Sequence, residues 1–201
     1  MADPNALVIS EADVALAWNV RGDMTNAAFV AAVERVIGIP LPTRPNASAR
    51  GVALLTQQHA NGDAGALLWL GPRSWLFVAG RPAANGAFDA TRTALNDAQG
   101  ALFDVSSSYV GWTISGAATI RVLNRGCPLD LNPAVFRPGD CAQSVLGHVN
   151  ALFYRPDEGN AFIVLVARSF AADVWEQLAG YAASDGYRLG PRAAFGLREA
   201  N

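Results

Sequence analysis

The strongest constraint on the fold is a pattern that occurs twice, with Trp18 and Trp112 standing 94 residues apart. Residues 14–24 read VALAWNVRGDM and residues 108–118 read SYVGWTISGAA. In each stretch a Trp lies in an apolar, strand-like run, and a turn containing Gly leads into an Ala-rich helical stretch. The repeat predicts two similar halves, each of which starts with a strand that carries its Trp into the core.

The element order within each half supports the same interpretation. Strand, helix, loop, three strands and helix occur twice, and the strands SWLFVAG and AFIVLVA begin 87 residues apart (Ser74 and Ala161). Strand pairs that alternate with single helices favour antiparallel sheets over a parallel Rossmann sheet. We predict an α+β fold with four main helices, in which one domain over 1–201 consists of interlocked, ferredoxin-like halves at about 13–100 and 101–183, with short tails.

The first half is predicted to begin with a strand at 13–21. Asp23 or Thr25 is expected to cap the first helix, which Gly38 ends, and Asn85 to cap the second, which ends at Gly100. Asn61-Gly62 favours a hairpin. The remaining predicted elements are a helix at 26–38, strands at 51–58, 65–71 and 74–80, and a helix at 86–99.

The second half is predicted to start with strands at 101–107 and 109–115. Ser115 is expected to cap a helix that ends at Gly126, and Ser169 to cap the last helix. Strands are predicted at 141–147, 148–155 and 160–168, the last two joined by a turn at 156–159. In the last helix one apolar face is predicted from Phe170, Val174, Leu178 and Tyr181.

Composition excludes several classes of function. All 15 cationic side chains are Arg, so no mechanism that needs a lysine of this chain, such as a Schiff base or a P-loop, is available. With a net charge of −2, the chain is not expected to have the positively charged surface that binds nucleic acid. No apolar run approaches the ~20 residues of a membrane span, and the N-terminus lacks the pattern of a secretory signal. We therefore predict a cytoplasmic protein whose apolar surface meets a partner.

The residues best suited to metal or nucleophilic chemistry lie far apart in the sequence. His59 and His148, and Cys127 and Cys141, have no metal-ligand spacing, so no metal site is predicted. A nucleophilic Cys with a distant His is the weaker alternative to two free thiols. His59 is expected in a solvated hairpin and His148 at a strand start.

Three further motifs are better explained by structure than by catalysis. Ser106-Ser107-Ser108 lacks the nucleophile-elbow glycines, so its hydroxyls should satisfy backbone groups in a turn. Gly111 to Gly116 has P-loop spacing without the Lys, and predicts a strand and then a helix start that could hold an anion only weakly. Arg21-Gly22-Asp23 predicts a strand-to-helix turn. The aromatic residues expected in core or interface strands are Trp69, Trp75, Phe77, Trp112 and Phe162.

No pair of acidic residues has a spacing suited to general acid–base chemistry, so no catalytic carboxylate pair is predicted. From the residues alone we predict no catalytic, cofactor-binding or metal-binding residue. The chain is then a globular α+β protein without a visible catalytic set.

Residues 104–131 and 141–178 resemble the gamma subunit of heterotetrameric sarcosine oxidase, through NRGCPLDL, LGHV and VARSFA. LGPRSWLFVAG at 70–80 resembles a strand of the same family. That family in turn is similar to the folate-binding domain of the glycine-cleavage aminomethyltransferase, which has two similar interlocked halves. The resemblance therefore implies the fold that the repeat predicts.

The same resemblance implies a role in a complex. In the folate enzymes a GG-x-x-DD pattern supplies an acidic residue; the corresponding stretch here is 147–151, where Asn150 takes the first acidic position and cannot act as a carboxylate base. The resemblance implies a non-catalytic subunit that assembles with alpha, beta and delta subunits, which carry FAD, FMN, NAD and tetrahydrofolate. The complex oxidises sarcosine to glycine. The alternative is a free-standing folate-binding protein of the aminomethyltransferase type.

Overall fold

The fold belongs to the α+β class that the sequence predicts. A computed structural model describes residues 6–55, 64–156 and 159–195, and in them twelve strands form two sheets that accompany four α-helices. Contacts divide the chain into two compact units: the N-half, 13–107 with 194–201, and the C-half, 1–12 with 108–193. The organisation of 1–201 as one domain stays a prediction.

The elements follow one another in the order that the repeat predicts, with the additional strand β1 before them and the short strands β11 and β12 after them. None of the helices in the described ranges is long and apolar enough to cross a membrane. The elements are β1 (Leu7–Asp13), β2 (Leu16–Arg21), α1 (Ala27–Ile37), β3 (Ser48–Val52), β4 (Ala64–Gly71), β5 (Ser74–Ala79), α2 (Ala87–Asp97), β6 (Ala101–Asp104), β7 (Tyr109–Ser115), α3 (Thr119–Leu123), β8 (Cys141–Leu146), β9 (Val149–Tyr154), β10 (Ala161–Ala167), α4 (Ala171–Ala182), β11 (Tyr187–Leu189) and β12 (Ala193–Ala194).

The sheet of the N-half has the strand order β3-β4-β5-β2-β6, and every pair is antiparallel. Side chains alternate between its faces, so Trp18 of β2 and Phe77 of β5 share one face and pack with ring centroids 6.0 Å apart. Both belong to a core closed by Phe29 and Val33 of α1 and by Leu95 of α2. Each such buried side chain contributes roughly 1.5–3 kcal/mol.

The sheet of the C-half repeats this arrangement. Its strand order is β11-β1-β7-β10-β9-β8, and the short strand β12 also pairs with β1. In this order β7, β8, β9 and β10 correspond to β2, β3, β4 and β5 of the N-half. Trp112 and Ile114 of β7 join a core under α4, where Val174 and Leu178 are fully buried. The strand next to β7 is β1, which comes from the start of the chain, whereas its counterpart β6 follows α2.

Helix α1 shows how the local sequence defines an element. Asn26 is its N-cap, and the side-chain oxygen accepts from the N–H groups of Ala28 and Phe29. Gly38 ends the helix in the left-handed conformation, as predicted, and its N–H donates to Glu34. The prediction of Asp23 or Thr25 as cap was wrong, because the Asp23 carboxylate instead accepts from Thr25 within the turn before Asn26.

The other predicted caps were also wrong. Helix α2 has Gly86 rather than Asn85 at its N-cap, and α3 starts only at Thr119, three residues after the Gly that follows Ser115. Ser169 lies in a 3-10 turn that precedes α4 and makes no cap bond there. The same turn places Phe170 outside the helix, so Phe170 is exposed and does not belong to the predicted apolar face.

Three of the central strands were predicted almost residue by residue. The predicted strand at 109–115 coincides with β7, and those at 65–71 and 74–80 differ from β4 and β5 by one residue at one end. In contrast, no strand was predicted for β1 or β11, and the predicted strand at 51–58 corresponds to the earlier β3. His59, Asn61-Gly62 and the centre of the turn at 156–159 lie outside the described residues.

Candidate functional site

The predicted position of His148 at a strand start is confirmed, since it immediately precedes β9. Its Nε2 lies 2.9 Å from the Asp173 carboxylate in the first turn of α4, and both side chains are well exposed. The contact joins the β8–β9 turn to α4, which gives His148 a structural role.

Both cysteines are free thiols, the state that the sequence favours. Both are buried. Burial raises the pKa of the Cys127 thiol and outweighs hydrogen bonds from Leu129 and Ser144, which act in the opposite direction. A thiol with a raised pKa stays protonated at neutral pH and is a poor nucleophile. The geometry therefore favours a packing role for Cys127.

Ser106 satisfies backbone groups, as the sequence predicts. Its hydroxyl oxygen accepts from the Ala17 N–H at 3.0 Å, and it lies 2.6 Å from the Asp104 carboxylate, to which it donates. The Ser106 N–H also donates to Asp104 at 2.9 Å. These bonds join the end of β6 to β2, so the hydroxyl is engaged in the fold of the N-half.

Arg21-Gly22-Asp23 forms the predicted strand-to-helix turn. Arg21 ends β2, the Gly22 N–H donates to the Arg73 carbonyl, and Asp23 pairs with Arg73 at 3.3 Å. The side-chain hydrogen bond from Thr25 is the main cause that lowers the pKa of Asp23. The tripeptide thus closes a turn inside one unit.

Asp185 joins α3 to the end of α4. Its carboxylate lies 2.8 Å from Arg121 Nε and 2.6 Å from Arg125 Nη1, and Arg125 also donates to the Tyr181 carbonyl. The hydrogen bond from Arg121 is the largest cause that lowers the pKa of Asp185 below its ordinary value of 3.8. The arrangement is a charge clamp between α3 and the residues that follow α4.

Asp185→Asn should lower the melting temperature at neutral pH, because it removes the charge that both guanidinium groups face. A carboxyl group whose pKa is lowered on folding stabilises the fold above its unfolded pKa, and this contribution is lost as the pH falls through the folded value. The difference between the two proteins should therefore shrink below about pH 3.8. Calorimetric melting across pH measures this.

The matched control is Asp89→Asn, which breaks an exposed ion pair with Arg92 in α2. Such pairs contribute little to stability, so the melting temperature should stay nearly constant. Equal losses in the two variants at neutral pH would contradict the assignment of a clamp.

One face of the C-half sheet is only partly covered by helices. Leu7, Ile9 and Glu11 alternate along β1 and therefore share a face. Leu7 and Ile9 are buried in the core, but the Glu11 side chain is 51% exposed. A five-residue helix such as α3 is about 7.5 Å long, whereas the eleven-residue α1 of the N-half is about 16 Å long. The shorter helix covers less of the sheet.

An open groove of about 600 Å³ lies at this uncovered end. Its floor is formed by the cross-strand neighbours Glu11 and Trp112 together with Val110, and Trp175 of α4 closes one side. Arg168 precedes α4, and Arg192 pairs with Glu11 at 3.4 Å. The full lining is Ile9, Ser10, Glu11, Val110, Trp112, Arg168, Ala171, Ala172, Trp175, Leu189, Gly190 and Arg192.

Sequence reasoning did not identify this groove, although it identified one of its residues. Trp112 was predicted as a core or interface residue, and it is nearly buried. Of the other predicted aromatic residues, Trp75, Phe77 and Phe162 are fully buried and Trp69 is partly buried, which confirms the prediction. The one local sign of the groove was that Glu11, a charged residue, shares a strand face with the apolar Leu7 and Ile9, which indicates that this end of the face is not buried.

Asn150 lies on β9 opposite Val145, and it is exposed. Its amide is neutral and cannot act as a carboxylate base, so no folate step is assigned to it. Across the described ranges no group of three His, Cys, Asp or Glu residues is placed to hold a metal ion.

Comparison with known proteins identifies a family. Residues 21–184 match the sequence model of the sarcosine oxidase, gamma subunit family (SoxG). The sarcosine oxidase subunit gamma of Corynebacterium sp. strain P-1 is 29% identical over 134 residues, which make up 67% of this chain and 60% of that protein. The chain spans about half the length of the curated relatives that it matches.

Two solved structures have the same fold. A chain of the heterotetrameric sarcosine oxidase from Corynebacterium sp. U-96, solved with pyrrole 2-carboxylate, matches with a TM-score of 0.76 at 22% identity, over 100% of this chain and 90% of that chain. The glycine cleavage system aminomethyltransferase T of Bartonella henselae matches with a TM-score of 0.60 at 13% identity, over 93% of this chain and 48% of that chain. The likeness to the folate-binding fold is therefore confirmed.

Proposed function

The chain belongs to the sarcosine oxidase gamma subunit family, and from this we propose that it is a non-catalytic subunit of a heterotetrameric sarcosine oxidase. The observation that carries the proposal is the family match over residues 21–184. In this role the chain supplies surface for assembly, and alpha, beta and delta subunits are its partners in the cytoplasm.

The engaged state of its reactive side chains supports a non-catalytic role. Burial raises the pKa of the Cys127 thiol, the Ser106 hydroxyl bonds to Asp104, and His148 pairs with Asp173. Asn150 presents a neutral amide where the folate enzymes have an acid. The Ser106 and His148 contacts each join two elements of one unit.

The reaction then belongs to the assembled complex. Sarcosine would lose two electrons and two protons, which oxygen would take up as hydrogen peroxide, and its N-methyl carbon would become part of an imine. Water would release this carbon as formaldehyde, or tetrahydrofolate would accept it, and glycine would remain. FAD, FMN, NAD and tetrahydrofolate are assigned by this proposal to the other subunits.

Co-expression of the chain with the alpha, beta and delta subunits of a sarcosine oxidase tests the proposal. A tag on this chain should retain three further subunits together with flavin absorbance and sarcosine-dependent uptake of oxygen. The untagged chain in the same strain is the control. If neither flavin nor any other subunit is retained, the proposal fails.

Calorimetric titration of the isolated chain with tetrahydrofolate tests the free-standing alternative. The proposed subunit role predicts no heat of binding across the micromolar range. Saturable binding, together with failure to retain other subunits, would favour a folate-binding protein instead.

A further inference from the structure

We propose that the groove of the C-half holds an extended segment of a partner subunit, in which an acidic side chain stands next to apolar ones. This inference rests on the proposed function, because it names the surface through which the chain would join a complex. The experiment below separates the failure of this inference from the failure of the proposed function.

The apolar part of the groove has the composition of an interface centre. Trp112 and Trp175 line it, and aromatic residues, Trp above all, are enriched where interfaces bury most area. The Trp175 ring packs edge-to-face against Tyr187, with 6.4 Å between the ring centroids, and this contact restricts the orientation of the indole. Leu189 extends the same apolar surface, and its side chain is 65% exposed. Burial of the exposed Leu189 side chain under a partner would be favourable, because it removes apolar surface from water.

The charged rim indicates which kind of segment fits. Arg168 and Arg192 line the groove together with Glu11, so the lining carries one excess positive charge, and Arg168 Nη2 also donates to the Tyr109 carbonyl at 2.8 Å. The Arg192–Glu11 contact is 3.4 Å long and well exposed on both sides, and pairs of this kind are weak. A guanidinium group presents five N–H donors in a fork that matches a carboxylate. An incoming acidic side chain therefore complements the rim.

The shape of the groove favours an extended segment over a folded domain. A volume of about 600 Å³ accommodates a few side chains. β11 is the edge strand of the C-half sheet, and it lies along the groove through Leu189. Edge strands commonly accept an extended peptide from a partner. One strand-like segment can thus contact β11 and place alternate side chains in the groove.

Thiol labelling of the complete complex tests the location. Leu189→Cys introduces a reactive thiol at the groove, while Cys127 and Cys141 are buried. In the assembled complex, maleimide labelling of Leu189→Cys should be slower by on the order of tenfold or more than in the chain alone, because only a solvent-accessible thiolate reacts. Arg92→Cys, on exposed helix α2 of the N-half, is the matched control and should react at similar rates in both.

Charge reversal tests the chemistry of the segment. The double variant Arg168→Glu with Arg192→Glu should weaken retention of the partner subunits by roughly tenfold or more, and Arg92→Glu should leave it unchanged. Circular dichroism of the isolated variants checks that both fold.

The outcomes are distinct. If the complex assembles but Leu189→Cys labels in it as fast as in the chain alone, or if the double variant assembles normally, this inference is overturned and the proposed function stands. Protection of Leu189→Cys in the concentrated chain without partners would assign the groove to a second copy and also overturn it. If the wild-type chain retains no subunit, the proposed function fails, and this inference with it.

Discussion

Trp75→Ala should destabilise the N-half by about 3 to 5 kcal/mol, the usual loss when a buried large aromatic side chain is truncated. Trp75 is fully buried on the helix-facing side of β5, and its ring centroid lies 6.0 Å from that of Phe29 in α1. Its indole N–H donates to the Pro42 carbonyl at 2.9 Å in a buried position. Truncation would leave both a cavity and an unsatisfied carbonyl. Urea unfolding followed by circular dichroism measures the loss.

Trp75→Phe separates the two contributions. The smaller aromatic ring keeps most of the contact with Phe29 but cannot donate to Pro42, so a loss of about 1 to 3 kcal/mol is expected. If Trp75→Phe destabilises the protein as much as Trp75→Ala, the hydrogen bond to the 39–47 loop, and not the ring packing, is the dominant contribution. A loss below about 1 kcal/mol in Trp75→Ala would contradict the burial described here.

The core of each half could be predicted because strand alternation is a local property. Once Trp18 and Trp112 are placed in strands, the residues two positions away share their face, and the repeat supplies the order of the elements. The two sheets accordingly have the same strand order around β2 and β7. Burial of Trp75, Phe77 and Phe162 follows from the same rule.

Features that depend on distant partners could not be predicted in this way. β1 is held by β7, about one hundred residues later, and β11 is held in turn by β1. The helix caps failed for a related reason: Asp23 and Ser115 suit a cap chemically, but Asp23 accepts from Thr25 and Ser115 remains in β7. Competing local bonds and strand pairing decided where these helices begin.

The groove could not be predicted from local patterns, because its residues come from distant parts of the sequence. It brings together residues 9–11, 110–112, 168–175 and 189–192, the first and last of which, Ile9 and Arg192, stand 183 residues apart. The Ala-rich stretch after Ser115 predicted a longer helix than the five-residue α3. The sequence resemblance identified the family, but it did not indicate which surface of the chain would serve assembly.

Gly116→Ala should destabilise the C-half by about 2 to 4 kcal/mol, through backbone strain and overpacking together. Gly116 follows β7 with φ at +114°, a conformation that side-chain-bearing residues rarely adopt. A Cβ atom there would lie 2.4 Å from the Ala6 carbonyl oxygen. That atom belongs to the backbone leading into β1, so it can move only if the pairing of β1 with β7 is disturbed. The second glycine of the P-loop-like spacing is therefore required by the close approach of the two chain segments. The urea midpoint of the full chain measures the effect.

Gly180→Ala is the matched control for this substitution, because it adds the same methyl group in the same unit. Gly180 lies within α4, is exposed, and has no atom within 4 Å of an added Cβ. Alanine in a helix is favoured over glycine by roughly 0.5–1 kcal/mol, so this variant should be slightly more stable than the wild type. Changes of opposite sign in the two variants would identify backbone geometry, and not the added methyl group, as the cause. A Gly116→Ala protein as stable as Gly180→Ala would show that the β7–α3 turn relaxes without cost and that the approach of Ala6 does not restrict this position.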